Sequence, residues 1–433
     1  MNLLLVVCDT LRSDHLGCYG YFRDTSPNID NIAKEGAVFD DFYCAGAPTG
    51  IGFTCINTGL YPINHKFYRF TGVNVRQVDD RIFTMAEILR ASGYTTAAFD
   101  NLINQTRSKH FVRGYEFYVN CGDFLSGIVV HALRAEQVNM RLIPWIKNHS
   151  DEEFFAFIHY WDPHTPYNQP KEYQKVFNHK QGDLSDLEIK EAPAGYQYVP
   201  GWGRVKELVE GEIPDRHHKF NKVSVDRYDG EIVYMDHAIG DVMLTLEEEE
   251  ILEDTLTIIT ADHGEQLGQH GVWEHDMLLD SVVHIPLVMR CPKKLPRGIK
   301  VKGYGQQIDI LPTILELIGS QSKSLKFDGT SLMRLLSGEP SRERIFIEHT
   351  SGERCIRTDE WKLIADEWAK KQHKPLELYN TKEDPLETNN LANSKKEKAH
   401  ELIEILHEWV ENNLKGETDP AIFEKEEEYT GIV

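Results

Sequence analysis

The sequence predicts an α/β fold: a mostly parallel central sheet flanked by helices on both faces, with a small C-terminal α+β subdomain (a short antiparallel sheet plus one helix). Three observations carry this. Short apolar runs such as LLLVVC, FFAFIHYW and TLTIITA end abruptly in acidic residues, as strands buried on both faces of a parallel sheet do. They alternate with helical patterns, and such alternation places helices on both sides of the sheet. From about residue 341 the pattern changes to short strand-like runs separated by turn residues, then a single helix. The expected division is residues 1–340 for the α/β unit and 341–433 for the subdomain.

The elements follow in order. LLLVVCDT opens the chain as a buried strand ending at Asp9. SPNIDNIAKEG, residues 26–36, starts on Ser-Pro and stops at Gly, a helix start and stop. Residues 83–92 read as another helix, followed by Gly93 and the strand YTTAAF. Residues 130–147 are helical, and FFAFIHYWD is the next buried strand. Residues 168–222 are polar and weakly periodic, an expected excursion or lid over the sheet edge. A long helix is expected from residue 223 to about 250, with Val233, Ile239, Val242 and Leu246 on its apolar face. TLTIITADHGE and HIPLVMRC read as strands, and IDILPTILELIG as a helix. In the subdomain, RIFIEHT, RCIRTD and WKLIAD are short strands, and residues 395–414 form one amphipathic helix. The acidic end EKEEEYTGIV is expected to be a loose or strapping tail.

Composition narrows the function classes. The 433 residues include 47 Lys+Arg against 69 Asp+Glu, a net charge of −22. Such a chain is a poor non-specific binder of nucleic acid or anionic membrane, both polyanions. Cys8, Cys18, Cys44, Cys55, Cys121, Cys291 and Cys355 are odd in number, with no CxxC. That spacing suits a reduced chain better than a disulfide framework or a cysteine zinc site. Residues 3–7 are too short an apolar run for a signal peptide, and no stretch approaches a membrane span. The expectation is a soluble cytoplasmic protein, with homo-oligomer formation left open.

Three strands end in metal-type residues: Asp9, the segment Asp162-Pro163-His164, and Asp262-His263. Carboxyl ends of parallel strands share one sheet edge, so these groups should converge. Carboxylate and imidazole together suit a divalent ion such as zinc, manganese or iron, and calcium less cleanly. Each alone is also explained as a cap or turn; Asp9, for example, could cap a following helix. APTGIGFTCINTGLYP adds Thr49 at the start of a helix-like stretch. A hydroxyl there serves either as the helix N-cap or, beside a cation, as a nucleophile.

The chain resembles the sulfatase family, within the alkaline-phosphatase-like superfamily of metal-dependent ester hydrolases. The likeness runs almost end to end: CDTLRSDHLGCYGY with TSPNIDNIAKEGAVFDDFY, then INTGLYP, HYWDPHTPY, TIITADHGEQLGQHGVW, IDILPTILELIG, FDGTSL and LELYNTKEDPLETNNLA. The resemblance implies that Asp9, Asp262 and His263 are metal ligands. It implies that Thr49 is the nucleophile, its oxygen also touching the metal. His164 falls on the family's active-site histidine. His275, eleven residues before Pro286, stands where sulfatases usually carry a lysine that contacts the substrate's charged oxygens. Arg12 follows the family's Asp-x-x-Arg spacing, near the nucleophile.

The sequence also departs from the family. Nine residues before Thr58, where sulfatases carry a cysteine oxidised to formylglycine, stands Thr49; Cys44 and Cys55 are out of register. No formylglycine is expected. Thr10 replaces the second aspartate of the family's opening pair. Threonine and serine nucleophiles belong to the phosphatase, phosphodiesterase and phosphomutase relatives, which commonly hold two metals. Here Asp162 and His164 are too close for the usual second-site pair, leaving His159, His164, His270, His275 and Asp162 as nearby candidates. The expectation is therefore a one-metal hydrolase of a small anionic ester of sulfate, phosphate or phosphonate type, forming a covalent intermediate on Thr49. A phosphotransferase or phosphomutase, and a catalytically inactive binding protein, are the alternatives.

Overall fold

Leu3 to Cys8 have no polar side chain, so a strand built from them must be covered on both faces. The computed structural model shows this arrangement, and describes residues 1–68, 77–103, 108–121, 133–167, 169–177, 222–271, 273–320, 325–366 and 375–421. The first strand, β1 (Asn2–Cys8), is buried throughout and lies in an eight-stranded sheet. The other strands of that sheet are β2 (Ala37–Phe39), β3 (Thr95–Phe99), β4 (Phe117–Val119), β5 (Phe154–Tyr160), β6 (Thr255–Ala261), β7 (Leu287–Arg290) and β8 (Ile299–Val301). Their spatial order is β8-β2-β7-β6-β1-β5-β3-β4. β1 pairs in parallel with both β5 and β6, and β5 with β3.

The helices that cover the sheet are α1 (Pro27–Lys34), α2 (Thr49–Thr58), α3 (Met85–Ala91), α4 (Ala135–Asn148), α5 (Lys222–Glu248) and α6 (Ile310–Leu317). The apolar face expected of α5 is buried at Val233, Ile239, Val242 and Leu246. α3 carries a full capping box: the Glu87 amide donates to the Thr84 hydroxyl, and the Thr84 amide to the Glu87 carboxylate.

One strand breaks the parallel pattern. β7, the HIPLVMRC segment, runs antiparallel to β6 and to β2. Residues 262–286 form only short elements beyond the carboxyl end of β6. With no crossover helix, the chain re-enters the sheet from the edge it left, which forces the opposite direction.

A second sheet contains β9 (Arg344–His349), β10 (Arg354–Thr358), β11 (Trp361–Ala365) and β12 (Glu377–Asn380), joined antiparallel in sequence order. The helix α7 (Lys396–Leu414) packs Ala399, Leu402 and Leu406 against Ile356, Leu363 and Leu378 of this sheet. Its fifth strand comes from far away: Gly46–Ala47 pairs in parallel with Glu348 and His349. That strand immediately precedes Thr49, so the small sheet is joined to the start of α2.

Of the expected excursion at 168–222, residues 169–177 are described, with a single helical turn at Tyr173–Lys175. Residues 168 and 178–221, the acidic end EKEEEYTGIV, and the first residues of the expected helix at 130–147 lie outside the described residues. Among the described residues no helix is long and apolar enough to cross a membrane, and none of the seven cysteines is in a disulfide.

Candidate metal centre and nucleophile

Strand register builds the site. Cys8 lies opposite Tyr160 on one side and Ala261 on the other. The next residues, Asp9 and Asp262, therefore leave the sheet side by side. Asp9, Asp262 and His263 are fully buried, and each offers a ligand atom within 4.8 Å of the others. His263 Nε2 is 3.3 Å from Asp262 Oδ2 and 3.8 Å from Asp9 Oδ1.

The backbone beyond β1 orients these groups. Thr10 adopts a left-handed conformation, φ 61°, uncommon for a β-branched residue and found mostly where structure enforces it. It is held there by the Tyr228 hydroxyl of α5, which donates to the Thr10 carbonyl at 2.7 Å and accepts from the Arg12 amide at 3.0 Å. Turned this way, the Thr10 amide donates to Asp262 Oδ1 at 3.2 Å, as the His263 amide does at 2.8 Å. One oxygen of Asp262 is thus satisfied and the other is left facing the cluster.

The donor set fits a divalent cation. Both oxygens of Asp9 and Oδ2 of Asp262 are buried without a hydrogen-bond partner, and such groups are costly unless something positive lies among them. His263 Nδ1 is 2.8 Å from the Gly264 carbonyl. Donation there leaves the Nε2 lone pair toward the cluster, the orientation of a metal-binding imidazole. Burial pushes the Asp262 carboxyl well up, and the neighbouring Asp9 pushes it further. Burial also lowers His263 to about 3, helped by His275. Two adjoining carboxyl groups that resist joint ionisation, beside a neutral imidazole, make a site that a cation completes.

Thr49 stands at the first turn of α2, 6 % exposed, with Oγ1 3.1 Å from His263 Nε2. Two sequence features put it there. All ten residues of α2, TGIGFTCINT, are buried, and none of them carries a charge that would resist it. Gly52 permits the close approach: a Cβ there would lie 2.7 Å from the Asp262 carbonyl oxygen. The N-cap position of α2 is Pro48 and Thr49 is the first helical residue, so Thr49 does not occupy the capping position.

The remaining expected residues are arranged around this centre. The His275 ring is 4.5 Å from that of His263 and 5.4 Å from that of His164. His275 Nδ1 is 3.4 Å from Glu265; burial lowers its pKa, but Glu265 outweighs this and raises it to about 10. His164 contacts the Thr165 carbonyl through Nδ1, and burial lowers its pKa. Arg12 is engaged by Asp14 through two bonds of 2.8 and 2.6 Å and by the Glu265 carbonyl at 2.9 Å. Asp162 serves helix α4, accepting from the Ala135 amide at 2.8 Å. Sequence reasoning missed Glu265 and Asp100. Asp100 follows β3 directly and lies 2.7 Å from His159 Nδ1; an acidic residue ending a buried strand was its available signal.

Known proteins resemble this chain at the same scale. Residues 1–320 match the family described as Sulfatase, and residues 268–415 the family described as N-sulphoglucosamine sulphohydrolase, C-terminal. The multifunctional alkaline phosphatase superfamily protein PehA of Trinickia caryophylli is 25% identical, covering 90% of this chain and 91% of its own length. An arylsulfatase of Clostridium perfringens is 25% identical over 96% of both chains. The phosphonate monoester hydrolase of Agrobacterium radiobacter shares the fold with a TM-score of 0.73 at 20% identity, covering 95% of this chain and 96% of the other. With a family match over residues 1–320 and a buried carboxylate–histidine centre at its strand ends, the chain belongs to the sulfatase family of ester hydrolases, within the alkaline-phosphatase superfamily.

Proposed function

We propose that the protein hydrolyses a small anionic ester of sulfur or phosphorus with Thr49 as nucleophile, in the position where family members carry the formylglycine cysteine. The observation that carries this reading is the 3.1 Å contact between Thr49 Oγ1 and His263 Nε2, inside the Asp9–Asp262–His263 group. Asp9, Asp262 and His263 would hold a divalent ion, which when bound would supply charge stabilisation for an ionised Thr49 hydroxyl and for a non-bridging ester oxygen. Thr49 attacks sulfur or phosphorus in line, and the bond to the leaving alcohol breaks. His164 or His275, whose rings lie 5.4 Å apart with that of His275 4.5 Å from His263, gives that alcohol its proton. Water then gives a proton to that same histidine and attacks the same sulfur or phosphorus, and Thr49 leaves as the ionised hydroxyl, because a threonine ester has no second hydroxyl through which to eliminate the group.

Phosphoryl or phosphonyl esters suit this chemistry better than sulfate, for the same reason. The names of the relatives support both: an arylsulfatase and a phosphonate monoester hydrolase are among them. The net charge of −22 favours a small ester over a polyanion, since attraction is confined to the pocket. A screen of aryl sulfate, phosphate mono- and diesters and an aryl phosphonate, each with manganese, zinc, iron and calcium, tests the reading. Turnover of at least one of them, abolished by a chelator and restored by a divalent ion, is expected. Chelator-resistant turnover contradicts it.

A further inference from the structure

We propose that His110 is a positioning residue for Thr49, acting through Thr54 on the first turn of α2. This rests on the proposed function in taking Thr49 as the attacking group.

The first turn of α2 has little of its own to hold it. Its N-cap is Pro48, which makes no side-chain cap, and the turn reads Thr-Gly-Ile-Gly. Glycine is the poorest helix former after proline, because it gives up the most backbone freedom. Gly52 is required for the close approach to Asp262, so stiffness has to come from outside the turn. One fixed point is the Gly50 carbonyl, next to Thr49. The Thr54 hydroxyl donates to it at 2.6 Å, and His110 Nε2 lies 3.0 Å from the same hydroxyl oxygen.

The protons give this relay a direction. Thr54 has one hydroxyl proton, and it lies on the Gly50 carbonyl. His110 therefore donates from Nε2, and Nδ1 carries the lone pair. Donation into a hydroxyl oxygen strengthens the bond that the hydroxyl itself makes. His110 is fixed in turn. It lies in the helical turn Lys109–Phe111, buried, with the rings of Phe67 and Phe111 at 4.7 and 4.0 Å. Arg113, three residues on, is held by Glu87 through bonds of 3.2 and 2.8 Å. Burial, with Arg113 adding to it, lowers the pKa of His110 to about 3. The ring is neutral and has a single N–H to place.

That placement is unfavourable in itself. Among the described residues, His110 Nδ1 is buried with no hydrogen-bond partner, and a buried acceptor without a donor destabilises the fold. An apolar side chain would suit the aromatic surroundings better. Histidine here serves stability poorly and the Thr54–Gly50 bond well, and such local conflicts concentrate at functional sites.

Steady-state kinetics and thermal denaturation of the metal-loaded protein, on the ester that wild type turns over best, decide the matter. His110→Leu is expected to lower kcat about 10–100-fold. KM should stay unchanged, since the relay ends on the helix and not on substrate, and Tm should be no lower than that of wild type. His110→Gln, whose Nε2 can donate from the same place, should recover most of the loss. Thr54→Val should lose at least as much as His110→Leu, and adding His110→Leu to it should lower kcat no further, because both act on one bond. Unchanged kcat or a lowered Tm in His110→Leu, no recovery in His110→Gln, or losses that multiply in the double variant overturn the proposal. Failure of the underlying reading shows separately, as Thr49→Ala retaining the turnover of wild type.

Discussion

At the scale of single residues, the reactive centre is a problem in burying charge. Asp9, Asp262 and His263 are fully buried, and three of their four carboxylate oxygens have no hydrogen-bond partner. Such a group is stable only with a cation present or a proton retained. Removing the metal should therefore destabilise the fold as well as stop turnover. At a free-ion concentration 1,000 times the dissociation constant, metal should add about 4 kcal/mol, read as a rise in Tm over the chelated protein. Asp262→Ala or His263→Ala should strip the ion; full occupancy of that site in either variant would show the ligands to be misassigned. Thr49→Ser, which keeps a hydroxyl at the same atom, should retain measurable turnover, whereas Thr49→Val should not.

At the scale of elements, the site depends on how closely α2 approaches the end of β6. Gly52 has no room for a Cβ against the Asp262 carbonyl. Gly52→Ala should push the start of α2 outward and move Thr49 off His263. A displacement approaching 1 Å at a reacting group costs about 10²-fold in rate, and the overpacking about 1–3 kcal/mol in stability. Assays of kcat and denaturation of this variant check both; an unaltered kcat would mean the close approach does not position Thr49. Much at this scale was legible in the sequence. Largely apolar strands ending in Asp9 and Asp262 placed those residues on one sheet edge, and Pro48-Thr49 marked the start of α2. Asp100 was not recognised, although it ends β3 by the same rule. β2, β4 and β8 are three residues each, too short for any periodicity to register. The reversed direction of β7 depends on where residues 262–286 lie, which no local pattern encodes.

At the scale of the whole molecule, the small sheet braces the reactive edge. Lys362 of β11 is fully buried and pairs with Asp280 and Glu387, both at 2.7 Å, while Arg357 of β10 meets Asp280 at 2.9 Å. Asp280 opens the short helix Asp280–Val283, and the Val282 carbonyl accepts the Gly264 amide at 2.7 Å, one residue from His263. Lys362→Met should cost about 3–5 kcal/mol, because it leaves the buried Glu387 and the half-buried Asp280 each short of a partner. Adding Glu387→Gln should recover part of that loss; no recovery in chemical denaturation would count against the network. The fifth strand, Gly46–Ala47, makes the same connection from the other side of Thr49. A two-residue strand paired with residues some 300 positions away cannot be read from sequence. The net charge of −22 was legible at once, but its meaning was not: some of that charge is the metal centre itself. The central claim is that Thr49 is the attacking group, and the most direct test is turnover of metal-loaded Thr49→Ala on the best ester found for wild type. The expected result is a loss of roughly 10⁴-fold or more with metal content and fold unchanged; turnover close to wild type would contradict it.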